Sequence, residues 1–186
     1  MSHTATVKSV PIKDVRALRQ MVEDLQRQGI KCELLEKAVP RMYYQDQIKR
    51  HLGNNKDFVL NSTNAEVCDY VLNVKDAYYD IGFLKDKDGN YVPLFDDFDY
   101  PPYHTPADKK GTRSLKQILG CEFKGGKAQY WSGAVDANEQ TLCSIGKMLQ
   151  SYSVNAATNA ALDAGYNVIG TSTDELGQVL IEVEVN

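Results

Sequence analysis

The chain of 186 residues contains no apolar run near the roughly 18 residues that a membrane-spanning helix needs, which excludes a helical membrane protein. The opening Met1-Ser2-His3-Thr4-Ala5-Thr6 has no basic region leading into an apolar core, so no secretory signal is expected. Cysteine is sparse. Cys32, Cys68, Cys121 and Cys143 form no C-x-x-C pair, which argues against a disulfide scaffold and against cysteine at zinc spacing. Isolated cysteines predict reduced thiols and a cytoplasmic protein, with Cys32, Cys68 and Cys143 as small core residues. Histidine is limited to His3, His51 and His104, and no H-E-x-x-H occurs. His104 lies in a proline-rich loop where nothing local orients it. No G-x-G-x-x-G or G-x-S-x-G is present, and Gly125-Gly126-Lys127 lacks the strand and the Ser/Thr of a phosphate loop. An excess of positive charge is also missing. The net charge of −4 excludes a globally basic nucleic-acid binder and leaves room only for a local patch. No cofactor is implied.

What is present is regular hydrophobic patterning. Val7, Val10 and Ile12 predict a first strand within residues 4–12. Asp14 is placed to cap a helix over about 14–28, in which Val15, Leu18, Val22 and Leu25 recur at helical spacing and Gly29 stands where a left-handed residue ends it. Ile30, Cys32 and Leu34 alternate with charged residues as in a half-buried strand. After an irregular stretch at 36–64, alternation returns at Cys68–Val74 and at Tyr79, Ile81 and Phe83, and Tyr91-Val92-Pro93-Leu94 follows. Asp86-Lys87-Asp88-Gly89-Asn90 supplies the hairpin turn. Residues 96–139 read as an excursion with a short helix at about 113–119. A long helix follows at about 140–164, closed by Gly165, and then two strands. The order β-α-β, meander, α-β-β predicts a single α+β domain over 1–186: an antiparallel sheet with two main helices on one face, ferredoxin-like or related, with insertions at about 36–64 and 96–139.

Three segments carry a family likeness. They are the opening Met1-Ser2-His3 with its strand and helix, the central Ala77-Tyr78-Tyr79-Asp80-Ile81-Gly82-Phe83, and the end containing Ala164-Gly165-Tyr166-Asn167-Val168-Ile169 and Gly177-Gln178-Val179-Leu180-Ile181-Glu182-Val183. Together they resemble the cyanobacterial, plastid and bacterial family called domain of unknown function 1257, the plastid open reading frame 35 family. The likeness covers about 1–35, 66–95 and 140–186. The chain departs from the pattern at 36–64 and at 96–139, where Trp131-Ser132-Gly133 stands for a short tryptophan-containing link. The resemblance implies the fold and a cyanobacterial, plastid or related viral (cyanophage) source. It brings no activity with it.

Candidate sites are few. Asp96, Asp97 and Asp99 could share a hard cation, although a solvated acidic loop is the plainer reading. The segment 86–90 fails as a calcium loop, because Leu84 and Phe95 would occupy its first and twelfth positions. Residues 76–99 hold seven aspartates against Lys85 and Lys87, a field that favours a cationic partner. The reverse holds in 107–127, where Lys109, Lys110, Arg113, Lys116, Lys124 and Lys127 face only Asp108 and Glu122. With nearby aromatics this could suit single-stranded nucleic acid through residues 100–131, although a solvated insertion is the plainer reading. Tyr43, Tyr44, Tyr100, Tyr103, Tyr130 and Trp131 fall in expected loops and are candidate partner-binding residues, since loop tyrosines favour recognition surfaces. Tyr70, Tyr79 and Tyr91 are expected to pack in the core or on the sheet.

The residues point first to a non-catalytic protein-binding or adaptor module, because no catalytic set converges. A small-ligand binder or enzyme with a cleft under the 96–139 insertion, using Asp96, Asp97, Asp99 or His104, is one alternative. Single-strand binding is the other. A sheet with helices on one face must cover the other face with water, insertions or a second subunit, so a homo-oligomer through sheet faces or edges is expected.

Overall fold

The computed structural model describes residues 4–7, 11–42, 67–96, 111–122, 128–130, 142–173 and 179–184. The chain enters as β1 (Thr4–Val7), forms α1 (Val15–Arg27) and returns as β2 (Cys32–Ala38). Asp14 caps α1 through Oδ1, which accepts from the amides of Arg16 (2.7 Å) and Ala17 (3.2 Å). The helix closes where Gly29 takes φ +82°. There the Gly29 amide donates to Gln26 O and the Ile30 amide to Leu25 O, which satisfies two otherwise orphaned carbonyls. Leu18, Met21 and Leu25 are fully buried. Each contributes about 1.5–3 kcal/mol, against about 1 kcal/mol for the cap, so packing rather than local propensity holds α1 in place.

A meander follows: β3 (Cys68–Val74), β4 (Ile81–Lys85) and β5 (Tyr91–Asp96). The turn between β4 and β5 is built by Asp86. Its Oδ1 accepts from the amides of Asp88 (3.0 Å) and Asn90 (2.7 Å), and its Oδ2 from Asn90 Nδ2 (3.0 Å). The carboxylate expected of a turn is therefore used by the turn. The strand anticipated from Tyr79 begins only at Ile81; Tyr79 and Asp80 are buried in the bend before it.

Next come α2 (Leu115–Leu119), β6 (Cys121–Glu122), β7 (Ala128–Tyr130), β8 (Leu142–Cys143), α3 (Gly146–Asp163), β9 (Asn167–Thr173) and β10 (Val179–Glu184). Residues 96–139 are thus not wholly an excursion: β7 joins the main sheet beside β1, with Ala5 opposite Tyr130. The long helix starts later than its apolar pattern suggests, because Leu142 and Cys143 pair with Glu122 and Cys121 instead. Gly146 begins α3 where β6 passes closest. A Cβ there would lie 2.7 Å from the Cys121 carbonyl oxygen and 2.7 Å from its sulfur.

The main sheet runs β2-β3-β4-β5-β1-β7, and every neighbouring pair is antiparallel. β1 and β2 therefore run parallel with the meander between them, a split β-α-β unit. β9 and β10 form a ribbon of their own. The core lies between one sheet face (Leu72, Ile81, Phe83, Phe95) and the three helices, with Leu119, Met148, Leu149 and Tyr152 from α2 and α3. Alternation sends Val71, Leu84 and Leu94 to the other face, where they are buried with Cys68 and Met42. The fold is α+β, as the pattern of elements predicts. No helix among the described residues is long and apolar enough to cross a membrane.

α1 and α3 pack antiparallel, since Arg16 near the start of one pairs with Asp163 at the end of the other. Polar groups set their register. The Tyr152 hydroxyl accepts from the amides of Lys13 (2.8 Å) and Asp14 (3.1 Å). Buried Asn159 donates to Asp14 Oδ2 (2.8 Å) and Gln20 Oε1 (2.9 Å). Asp24 Oδ2 accepts from Ser151 Oγ (2.8 Å) and Asn155 Nδ2 (2.6 Å).

Candidate functional site

Of the sequence-predicted site residues, Asp96, Arg113, Lys116 and Tyr130 are among the described residues. Tyr43, Tyr44, Tyr100, Tyr103, Trp131, Asp97, Asp99, His104, Lys109, Lys110, Lys124 and Lys127 lie outside the described residues. Tyr130 is a strand residue of β7 rather than a loop residue. Asp96 is not on a solvated acidic loop. It is 2% exposed at the end of β5, opposite Thr4, because the β1–β5 ladder extends to it. Among the described residues no group of three or more His, Cys, Asp or Glu side chains is placed to hold a metal. Arg113 and Lys116 are exposed, and Arg113 pairs with Asp76 at 3.6 Å.

Tyr70 and Tyr91 meet edge to face on the sheet at 5.3 Å, and Tyr79 is fully buried, as their positions predict. Cys32 and Cys68 are buried free thiols, which burial pushes up to about 11 and about 12. Without thiolate character they serve as packing atoms rather than nucleophiles.

The strongest polar feature near the sheet is the Arg41–Asp80 pair. Asp80 Oδ2 accepts from the Arg41 amide (2.8 Å) and from Arg41 Nε (3.0 Å). Its Oδ1 accepts from Arg41 Nη2 (2.7 Å) and Asn73 Nδ2 (2.9 Å). Arg41 Nη2 also donates to the Val74 carbonyl at 2.8 Å, and the Asp80 amide donates to the Arg41 carbonyl at 3.0 Å. These bonds join the segment after β2 to β3 and to the β3–β4 connection, so the pair is a structural clamp.

Two surfaces remain. The first is the C-terminal α3–β9–β10 unit. Leu162, Tyr166, Ile169, Leu180 and Val183 are five of the seven exposed large hydrophobics among the described residues, and Ile169 is 65% exposed. β9 pairs only with β10 among the described strands. Its register shifts by one residue so that Gly170 faces Glu182 and Val168 faces Val183, leaving Ile169 as the extra residue of a bulge. All seven residues of β9 are uncharged, whereas β10 carries Glu182 and Glu184.

The second is a cleft where the end of α1 meets the beginning of α3. One part, about 230 Å³, is lined by Gln28, Lys31, Asp76, Arg113, Gln117 and Lys147 among others. An adjoining part, about 350 Å³, shares Gln28 and Lys147 and adds Asp24, Arg27, Ser151, Val154 and Val179. Lys31, Gln28 and Lys147 escape a sequence reading. They come from separate elements, form no motif, and resemble any solvated helix or strand residue until the two helices are packed.

The fold and these surfaces define a small antiparallel α+β module with a C-terminal ribbon that exposes apolar side chains and a polar cleft between its helices. Comparison with protein-family models, curated proteins and solved structures finds no match.

Proposed function

We propose that the chain is a non-catalytic protein-binding module that self-associates through its C-terminal α3–β9–β10 unit. The observation that carries this reading is that five exposed apolar residues, Leu162, Tyr166, Ile169, Leu180 and Val183, belong to this one unit. Scattered exposed apolar residues are ordinary, but a concentration in one supersecondary unit marks a contact surface. The two edges of the ribbon differ in charge. An uncharged edge lacks the usual protection against strand addition, while acidic residues on the other discourage it. Pairing of β9 with β9 of a second copy brings no like charges together and closes by two-fold symmetry. The bulge at Ile169 interrupts the regular register of β9, so the stretch available to pair with a second copy is Gly170–Thr173.

Light scattering on the full chain from low to high micromolar concentration tests this. The mass is expected to rise above 20.8 kDa toward twice that value, and Ile169→Lys is expected to hold it at 20.8 kDa. Wild-type protein that stays at the single-chain mass throughout removes the reading.

The free buried thiols are in keeping with a reducing cytoplasmic setting for such a module. As part of the same proposal, the chain stands beside the domain of unknown function 1257 family on its Ala77–Phe83 run and its helix-hairpin end. A solved family member whose matching aspartate is clamped by an arginine preceding β3 would support the kinship. A different strand order there would end it.

A further inference from the structure

We propose that the cleft between the end of α1 and the start of α3 binds a small organic phosphate. Its 230 Å³ part would take the phosphoryl group and its 350 Å³ part the organic body. The first part is faced by three cations from three different elements: Lys31 entering β2, Arg113 before α2, and Lys147 in the first turn of α3. Its lining holds one carboxylate, Asp76. Neither Lys31 nor Lys147 pairs with a carboxylate among the described residues. The residual charge of about +2 matches the dianion of a phosphate monoester and exceeds what a carboxylate would neutralise.

The donors are held in place. Lys147 Nζ donates to the Ile118 carbonyl at 3.3 Å, which positions the ammonium and leaves two of its protons unused. The Arg113–Asp76 separation of 3.6 Å is longer than a direct hydrogen bond, so the guanidinium keeps donor capacity. Gln117 Oε1 accepts from the Ser114 amide at 3.0 Å in the capping box of α2, which leaves its Nε2 to donate. In the adjoining part the charge of Asp24 is already met by Arg27 at 3.0 Å and by Ser151 and Asn155. Val154 and Val179 provide apolar lining for the organic body there.

Calorimetric titration of the full chain at low salt with phenyl phosphate, inorganic phosphate and benzoate tests the assignment. Phenyl phosphate is expected to bind most tightly. Its affinity should fall below about pH 6, as the dianion takes up a proton. The Lys31→Met/Lys147→Met double variant should weaken it by at least about tenfold. Lys31 is exposed, neither ammonium is in an ion pair among the described residues, and the variant gives up only the long Lys147–Ile118 bond, so its unfolding midpoint should fall by no more than about 4 °C. Lys116→Met, on an exposed cation outside the cleft lining, should change nothing. Absence of binding heat, or a double variant that binds as well as wild type, overturns the proposal. So does binding of oligothymidylate that strengthens with length while phenyl phosphate gives no heat, which would assign these cations to a nucleic-acid strand.

Discussion

Replacing Asp80 with alanine removes the acceptor of four hydrogen bonds, three from Arg41 and one from Asn73. The Asp80 side chain is 3% exposed and that of Arg41 27%. Breaking a buried ion pair by removing one partner costs about 3–5 kcal/mol, because the other charge is left without compensation. Arg41 can regain some water and keeps the Val74 carbonyl, so the lower end applies, about 3 kcal/mol. For a chain of this size that lowers the melting temperature by about 6–12 °C. Calorimetry and urea titration of wild type, Asp80→Ala, Arg41→Met and the double variant measure it. The double variant should be less destabilised than the sum of the singles by about 1–3 kcal/mol, as residues in direct contact require. A loss under about 1 kcal/mol for Asp80→Ala, or strict additivity, would refute the clamp as the tie between the segment after β2 and the meander.

Other positions give independent checks. A Cβ on Gly111 would lie 1.9 Å from the Ala77 carbonyl oxygen, so Gly111→Ala should cost at least about 2 kcal/mol in a denaturant titration. Gly165→Ala, at φ +86° with open space around it, should cost only the left-handed penalty of about 1–2 kcal/mol. Tyr152→Phe leaves the amides of Lys13 and Asp14 without their acceptor and should cost about 1–2 kcal/mol. Burial holds the Cys32 and Cys68 thiols protonated. Their contribution to stability is complete below the ordinary thiol value of 9.0 and is lost as pH rises toward about 11 and about 12. Both thiols should resist a thiol-titrating disulfide reagent at pH 8 until the chain unfolds.

Asp14 behaves in the opposite sense. Burial alone would raise its carboxyl, but hydrogen bonds from Asn159, Ala17 and Arg16, with the Arg16 charge, outweigh it and hold the group below its usual value. Its contribution is present above the ordinary carboxylate range and is lost as pH falls through the lowered value. Asp14→Asn should therefore flatten the acid limb of a stability–pH curve.

Local signals were legible wherever one residue and its near neighbours settle the matter. Asp14 and Gly29 bound α1, Gly165 ends α3, and Asp86 with Gly89 turns the β4–β5 hairpin, because caps and turns are decided within a few residues. Alternation in Cys68–Val74 identified a strand for the same reason. Leu142 shows the limit. Its spacing fits the helix that follows, yet it lies in β8, because Glu122, far back in the chain, stands opposite it. Asp96 shows another. Among aspartates it reads as an acidic loop, but its pairing with Thr4 buries it.

By itself, then, the sequence determined the α+β class, the main helices and meander strands, and the residues that start and stop them, since these depend on periodicity and on backbone preference. Only the tertiary structure decided that β7 borders β1, that the last two strands form a ribbon apart from the main sheet, and that Lys31, Arg113 and Lys147 share one cleft. Those outcomes depend on contacts between residues far apart in the chain, and such contacts leave no spacing for a sequence to display.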